Sequence, residues 1–138
     1  MASAAEGDKS AKRIVVINDD TAFLSLMEQV LEDEGYEVQI VREWDAAAGA
    51  VRDTQPDLVI LDLILGREER GWTILELLML DAKIWPIPVI VCSGALHLLR
   101  EREEIFSRHG IRSLAKPFDL DELLEQVSLA LGIPQPEP

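Results

Sequence analysis

Four places in this chain hold residues that can do chemistry on a phosphoryl group, and each follows an apolar run: Asn18-Asp19-Asp20, Asp62, Ser93 and Lys116. A carboxylate at Asp62 can act as a nucleophile and form an acyl phosphate. Two or three carboxylates brought to one pocket repel one another, and a hard cation relieves that repulsion. Oxygen ligands with room for water favour Mg²⁺, which also neutralises charge on a transferred phosphoryl group. Lys116 would pair with a phosphoryl oxygen, and the Ser93 hydroxyl would hydrogen-bond to another. Each residue has a plainer reading: Asp19 or Asp20 as a helix N-cap, Asp62 as a solvated strand end, Ser93 as a turn former, Lys116 as a solvated base. That all four sites end successive strands by accident is the weaker account.

The elements that must position these groups are legible as runs. Asp57-Leu58-Val59-Ile60-Leu61-Asp62 is continuously apolar between acidic ends and is entered by Pro56, the pattern of a fully buried strand in a parallel sheet. Ile14-Val15-Val16-Ile17 reads likewise as a buried strand; Tyr36 to Val41, with Val38 and Ile40 among its apolar members, Val89-Ile90-Val91-Cys92 running into Ser93-Gly94, and the short Ile111 to Ala115 also read as strands. Between them the period changes to that of a helix. Phe23, Leu26, Met27, Val30 and Leu31 form a stripe ended by Gly35, and Trp44 to Arg52 is an alanine-rich helix. Trp72 to Ala82 is helical, and Ala95 to His109 is a less regular helix with Leu98, Leu99, Ile105 and Phe106 inward. Asp119 with Glu122 opens the last helix as a capping box, Leu123, Leu124, Val127, Ala130 and Leu131 line it, and Gly132 ends it. Strands alternating with helices predict an α/β fold: a doubly wound, five-stranded parallel sheet with five helices. Open sheets of that kind bind ligands at the carboxyl ends of their strands, where the four sites would meet.

Composition bounds the function. The chain has 138 residues, 48% of them hydrophobic, which is the size of one domain; residues 12–132 are expected to form it, with tails at 1–11 and 133–138. With 26 acidic and 13 basic residues the net charge is −13, which argues against contact with nucleic acid or an anionic membrane. No apolar stretch approaches a membrane span, and Met1 to Ser10 lacks the core of a signal peptide, so the expected location is cytoplasmic. Cys92 is the single cysteine; in its apolar setting it reads as a buried structural thiol, and no disulfide can form within the chain. His97 and His109 have no partner at metal-ligand spacing, and Trp44, Trp72 and Trp85 read as packing or loop residues.

Taken together, Arg-Ile-Val-Val-Ile-Asn-Asp-Asp, Pro-Asp-Leu-Val-Ile-Leu-Asp-Leu-Ile-Leu, Pro-Val-Ile-Val-Cys-Ser-Gly and Lys-Pro-Phe before an amphipathic helix resemble the receiver domains of bacterial two-component response regulators. The resemblance covers about residues 12–132. It implies a flavodoxin-like sheet in the order 2-1-3-4-5. It also implies a phosphoacceptor at Asp62, and Mg²⁺ held by Asp19, Asp62 and the backbone carbonyl of Ile64, with Asn18 acting through water. Ser93 and Lys116 become the phosphoryl-binding and switch residues, with a cis bond before Pro117. A histidine kinase or phosphotransfer protein is the implied donor, and a downstream protein the implied target.

The departures from that family are specific. Asn18 stands where a carboxylate is usual, and Asp20 is a possible compensating ligand. Gly66 replaces a usual proline, and the loop to Gly71 is one residue longer. The stretch from Ser93 to Gly110 is also long. Ser113 occupies the position of the aromatic residue that turns inward on phosphorylation. Ile64 and Ala95 stand at the two positions that tune hydrolysis, and neither can orient water, so slow self-dephosphorylation is expected. Three readings follow: a stand-alone receiver acting through protein contacts, with Leu96, Leu98, Leu99 and Ile111 as core or contact residues; a pseudo-receiver that binds partners without phosphorylation; and a metal-dependent phosphatase. The last would want a second acid two residues beyond Asp62, where Ile64 stands.

Overall fold

The computed structural model describes residues 12–133. Five parallel strands, β1 (Arg13–Ile17), β2 (Glu37–Val41), β3 (Leu58–Leu61), β4 (Val89–Ser93) and β5 (Arg112–Ala115), form one sheet in the order β2-β1-β3-β4-β5. Among the described residues the helices are α1 (Thr21–Asp33), α2 (Trp44–Thr54), α3 (Arg70–Leu80), α4 (Leu96–Glu101), α5 (Glu103–Arg108) and α6 (Leu120–Ala130).

Both faces of the sheet are covered, which explains why the central strands β1, β3 and β4 hold unbroken apolar runs, while the edge strands β2 and β5 are mixed and only partly buried. Val15, Ile17, Val59, Leu61, Val89 and Val91 pack with Ala47, Ile74, Leu75, Leu98 and Phe106 on the face of α2 to α5. Ile14, Val16, Leu58, Ile60, Ile90 and Cys92 pack with Leu24, Met27, Leu123 and Val127 on the face of α1 and α6, where Ile133 also lies. Each such aliphatic side chain contributes roughly 1.5–3 kcal/mol by leaving water.

Three local expectations change. The stripe of α1 is rotated: Leu24, Met27 and Leu31 are buried while Leu26 is 46% exposed. A mixed run such as Phe-Leu-Ser-Leu-Met fits two phases of the helical period, and packing on the sheet selects the one that hides Leu24. The expected helix from Ala95 to His109 divides at Arg102 into α4 and α5. Of the contact candidates, Leu98 and Ile111 are core, whereas Leu96 is 47% exposed.

The capping box of α6 is present: Glu122 N–H donates to Asp119 Oδ1 at 2.8 Å, and Asp119 N–H to Glu122 Oε1 at 3.4 Å. His97 and His109 are exposed. Burial pushes the Cys92 thiol up to about 12, so it is inert as well as buried. The expected tail at 1–11, and the expected tail at 133–138 apart from Ile133, lie outside the described residues.

Candidate functional site at the carboxyl edge of the sheet

The order β2-β1-β3-β4-β5 puts the ends of β1, β3, β4 and β5 side by side. Asn18 and Asp62, each one residue beyond its strand, are 2% and 9% exposed, and Ser93 at the end of β4 is 1% exposed. They are the buried polar or charged residues among those described. Burying a polar group costs free energy unless it is hydrogen-bonded, so the partners of these three define the site.

Asp62 is the hub. Its Oδ2 accepts from Lys116 Nζ at 2.8 Å and, more weakly, from Asn18 Nδ2 at 3.4 Å. Its Oδ1 accepts from the backbone N–H of Ile64 at 3.0 Å. The lysine comes from just after β5, 54 residues along the chain, and the bond before Pro117 is cis. Lys116 N–H donates to the Ser93 carbonyl at 2.9 Å, which fixes β5 beside β4 at this edge. The Ser93 hydroxyl accepts from Ala95 N–H at 3.1 Å, so it is turned into its own loop, within a side-chain rotation of the site.

Asn18 bridges two directions. Its Oδ1 accepts from Asp20 N–H at 2.9 Å while its Nδ2 points to Asp62. A donor therefore stands against the Asp62 carboxylate where a carboxylate would repel it. Asp20 caps α1, its Oδ1 accepting from Ala22 N–H at 3.0 Å and Phe23 N–H at 3.2 Å. Asp20 thus serves as the N-cap of α1 through Oδ1.

Asp19 reaches the loop after β3, where its Oδ2 accepts from Gly66 N–H at 2.7 Å. This explains one departure noted in the sequence. Gly66 has φ +69° and donates its N–H, and proline can do neither. Leu65 and Glu68 then close the loop as an antiparallel bridge. Asp19, Asp62 and the carbonyl of Ile64 offer hard oxygen donors, and Asn18 adds a polar group suited to a water-mediated contact. One or two carboxylates with several waters is an ordinary Mg²⁺ donor set, so the residues fit the ion. Among the described residues no three acidic, His or Cys side chains form a metal cluster.

Two features of the site were not read from the sequence. Gly71 at the start of α3 is buried, and its N–H donates to the Leu63 carbonyl at 3.0 Å, so α3 begins against the strand end that carries Asp62. Arg102, at the break between α4 and α5, lies 4.3 Å over the Trp72 ring and pairs with Glu69 in the loop after β3. Trp72 in turn packs at 6.2 Å on Phe106. The Asp62 loop is therefore joined to α4 and α5 by a clamp of side chains. The residues involved are some thirty apart in sequence, and no short-range pattern announces them. Ser113, by contrast, is exposed and opposite Val91 on β4.

Comparison with known proteins agrees with this fold. The family described as response regulator receiver domain matches residues 14–128. The regulator RpaA of Synechocystis, described as a DNA-binding dual master transcriptional regulator, is 34% identical over 119 residues, covering 86% of this chain and 48% of RpaA. The chain thus spans about half the length of that relative. A CheY-like receiver from Methanospirillum hungatei superposes with a TM-score of 0.76 at 30% identity, covering 88% of this chain and 94% of that one. The receiver domain of a sensor histidine kinase from Pseudomonas aeruginosa, solved with magnesium coordinated in its cleft, shares the fold with a TM-score of 0.74 at 21% identity, covering 88% and 98%.

Proposed function

This chain belongs to the response regulator receiver domain family, and from that premise we propose that it is a phosphoacceptor switch that takes a phosphoryl group on Asp62. The observation that carries the reading is the Lys116 Nζ to Asp62 Oδ2 contact of 2.8 Å, made between groups from β5 and β3 at a buried carboxyl edge. A buried carboxylate is costly unless paired. Here its partners are the groups a phosphoryl oxygen would also need.

In the step proposed, a carboxylate oxygen of Asp62 forms a bond to phosphorus while the bond to the donor nitrogen breaks, and the leaving imidazole keeps that electron pair. Lys116 turns to the incoming phosphoryl oxygens. Ser93 rotates from Ala95 N–H to donate its own proton to one of them. Asp19, Asp62 and the Ile64 carbonyl are the groups that would hold Mg²⁺, with Asn18 through water; the ion supplies charge neutralisation at the phosphoryl group.

The donor in this reading is a histidine kinase or phosphotransfer protein, residues 12–132 act as the receiving unit, and output runs through protein contacts. The excess of acidic residues leaves nucleic acid and anionic membranes as poor partners for this chain's own surface. Among the described residues no helix is long and apolar enough to cross a membrane. The test is intact mass after incubation with phosphoramidate and Mg²⁺. Wild type gains one phosphoryl group, and Asp62→Ala gains none; folded wild type without a gain overturns the reading.

A second reading, a module that binds partners without phosphorylation, is favoured by one observation. Ser113 presents an exposed hydroxyl where an aromatic would couple the site to the surface. The same experiment separates the two.

A further inference from the structure

Lys116 is held by more than its carboxylate. Its Nζ also lies 4.4 Å from the centroid of the Phe23 ring, in the first turn of α1. Phe23 meets Phe118 edge to face, with centroids 6.4 Å apart and planes at 85°. Phe118 follows Pro117, so Asp62, Lys116, Phe23 and Phe118 form a chain of contacts that joins the end of β3, α1 and the turn before α6. Neither phenylalanine has a part in the mechanism above.

A lysine is a compact charge on a flexible stem, and a single contact at its tip fixes it poorly. An aromatic face attracts the cation through its quadrupole, from a direction the carboxylate does not occupy. The Lys116 side chain is 27% exposed, so both attractions act in partly desolvated surroundings. When Asp62 is esterified by phosphorus its carboxylate charge is lost. The ammonium must then leave Oδ2 for a phosphoryl oxygen, and the ring contact does not depend on that charge.

We propose that Phe23 is a positioning residue for phosphoryl transfer: its ring face, steadied by Phe118, holds the Lys116 ammonium over the pocket both before and after Asp62 is modified. The proposal rests on the reading of Asp62 as the phosphoacceptor.

Two measurements on the whole chain test it. The first is the rate of phosphorylation by phosphoramidate in Mg²⁺ for wild type, Phe23→Leu and Phe23→Trp. The second is the NMR shift of the Lys116 ε-methylene protons, which a ring above them moves upfield. Phe23→Leu is expected to lose the upfield shift and to react about threefold to tenfold more slowly, whereas Phe23→Trp keeps both the shift and the rate. Should Phe23→Leu not fold, Phe23→Met carries the same expectation. An aliphatic variant that reacts at the wild-type rate overturns the proposal. So does a folded Phe23→Trp that keeps the upfield shift and is as slow as the aliphatic variant, since the ring contact would then not set the rate. If wild type itself takes no phosphoryl group, the Asp62 reading falls and takes the proposal with it, an outcome distinct from phosphorylation that ignores residue 23.

Discussion

Replacing Gly71 by alanine should damage both the fold and the site, because one methyl group meets the backbone of the residue that carries the chemistry. A Cβ built at Gly71 would lie 1.7 Å from the Asp62 carbonyl oxygen and 2.7 Å from both the Asp62 carbonyl carbon and the Leu63 Cα. Ordinary contact begins at 3.4 Å, so the shortest separation has to double. These are backbone atoms next to buried β3, and no side chain can swing aside. The N-terminus of α3 must move instead. It then gives up the 3.0 Å bond from Gly71 N–H to Leu63 O and loosens Ile74 and Leu75 against the sheet. The lost hydrogen bond costs about 1 kcal/mol and the strain or repacking about 1–3 kcal/mol, together about 2–4 kcal/mol. With an m-value of about 1.5–2 kcal/mol per molar urea, the unfolding midpoint falls by about 2 M. Gly49 in α2 is the control: nothing lies within 4 Å of its Cβ, and Gly49→Ala should gain about 0.5–1 kcal/mol from helix propensity. Urea denaturation followed by tryptophan fluorescence reads both. A Gly71→Ala midpoint within about 0.5 M of wild type would refute the packing argument.

Other perturbations have equally definite outcomes. Asn18→Asp replaces the Asp62-facing donor with a second charge at a 2% exposed position; calorimetric Mg²⁺ titration should show about tenfold tighter binding, and metal-free stability should drop by about 1–2 kcal/mol. Arg102→Ala removes both the contact over Trp72 and the pair with Glu69, so hydrogen exchange in the loop after β3 and in α4 should quicken together at a stability cost of about 1–2 kcal/mol. Cys92, with its thiol raised to about 12, should resist iodoacetamide at pH 9 unless the protein is unfolded. Because that group's folded value lies above its ordinary value of about 8.5, its contribution to stability is complete below that pH and is lost as pH rises toward 12. With Ile64 and Ala95 at the positions expected to tune hydrolysis, the phosphorylated protein should decay slowly, and loss of the mass gain within a minute would contradict this.

How much of this was legible in the sequence follows from the range of the interactions. The central strands β1, β3 and β4 were, because burial on both faces leaves β-branched runs that stop at the residues of the site. The roles of Asp119 and Glu122 were too, since a capping box is local. The capping role of Asp20 was legible as well, because an N-cap is also local. The phase of α1 was misjudged because Leu24 and Leu26 are equally apolar and only the sheet distinguishes them. Asn18 and Lys116 could be named as residues, but which atom of Asp62 each would face depends on register between strands far apart in sequence. The Glu69, Trp72 and Arg102 clamp and the Phe23 contact with Lys116 lay beyond reach for the same reason. A charged side chain over an aromatic ring has no signature in sequence when its partner is thirty or more residues away.

The central claim is tested most directly by locating the phosphoryl group. Borohydride reduces an aspartyl phosphate to homoserine, so protein treated with phosphoramidate and Mg²⁺, reduced and digested, can be mapped by tandem mass spectrometry. Homoserine at position 62, with Asp19, Asp20 and Asp57 unchanged, is the predicted result. Conversion at another aspartate, or none in protein shown to be folded, would contradict the account.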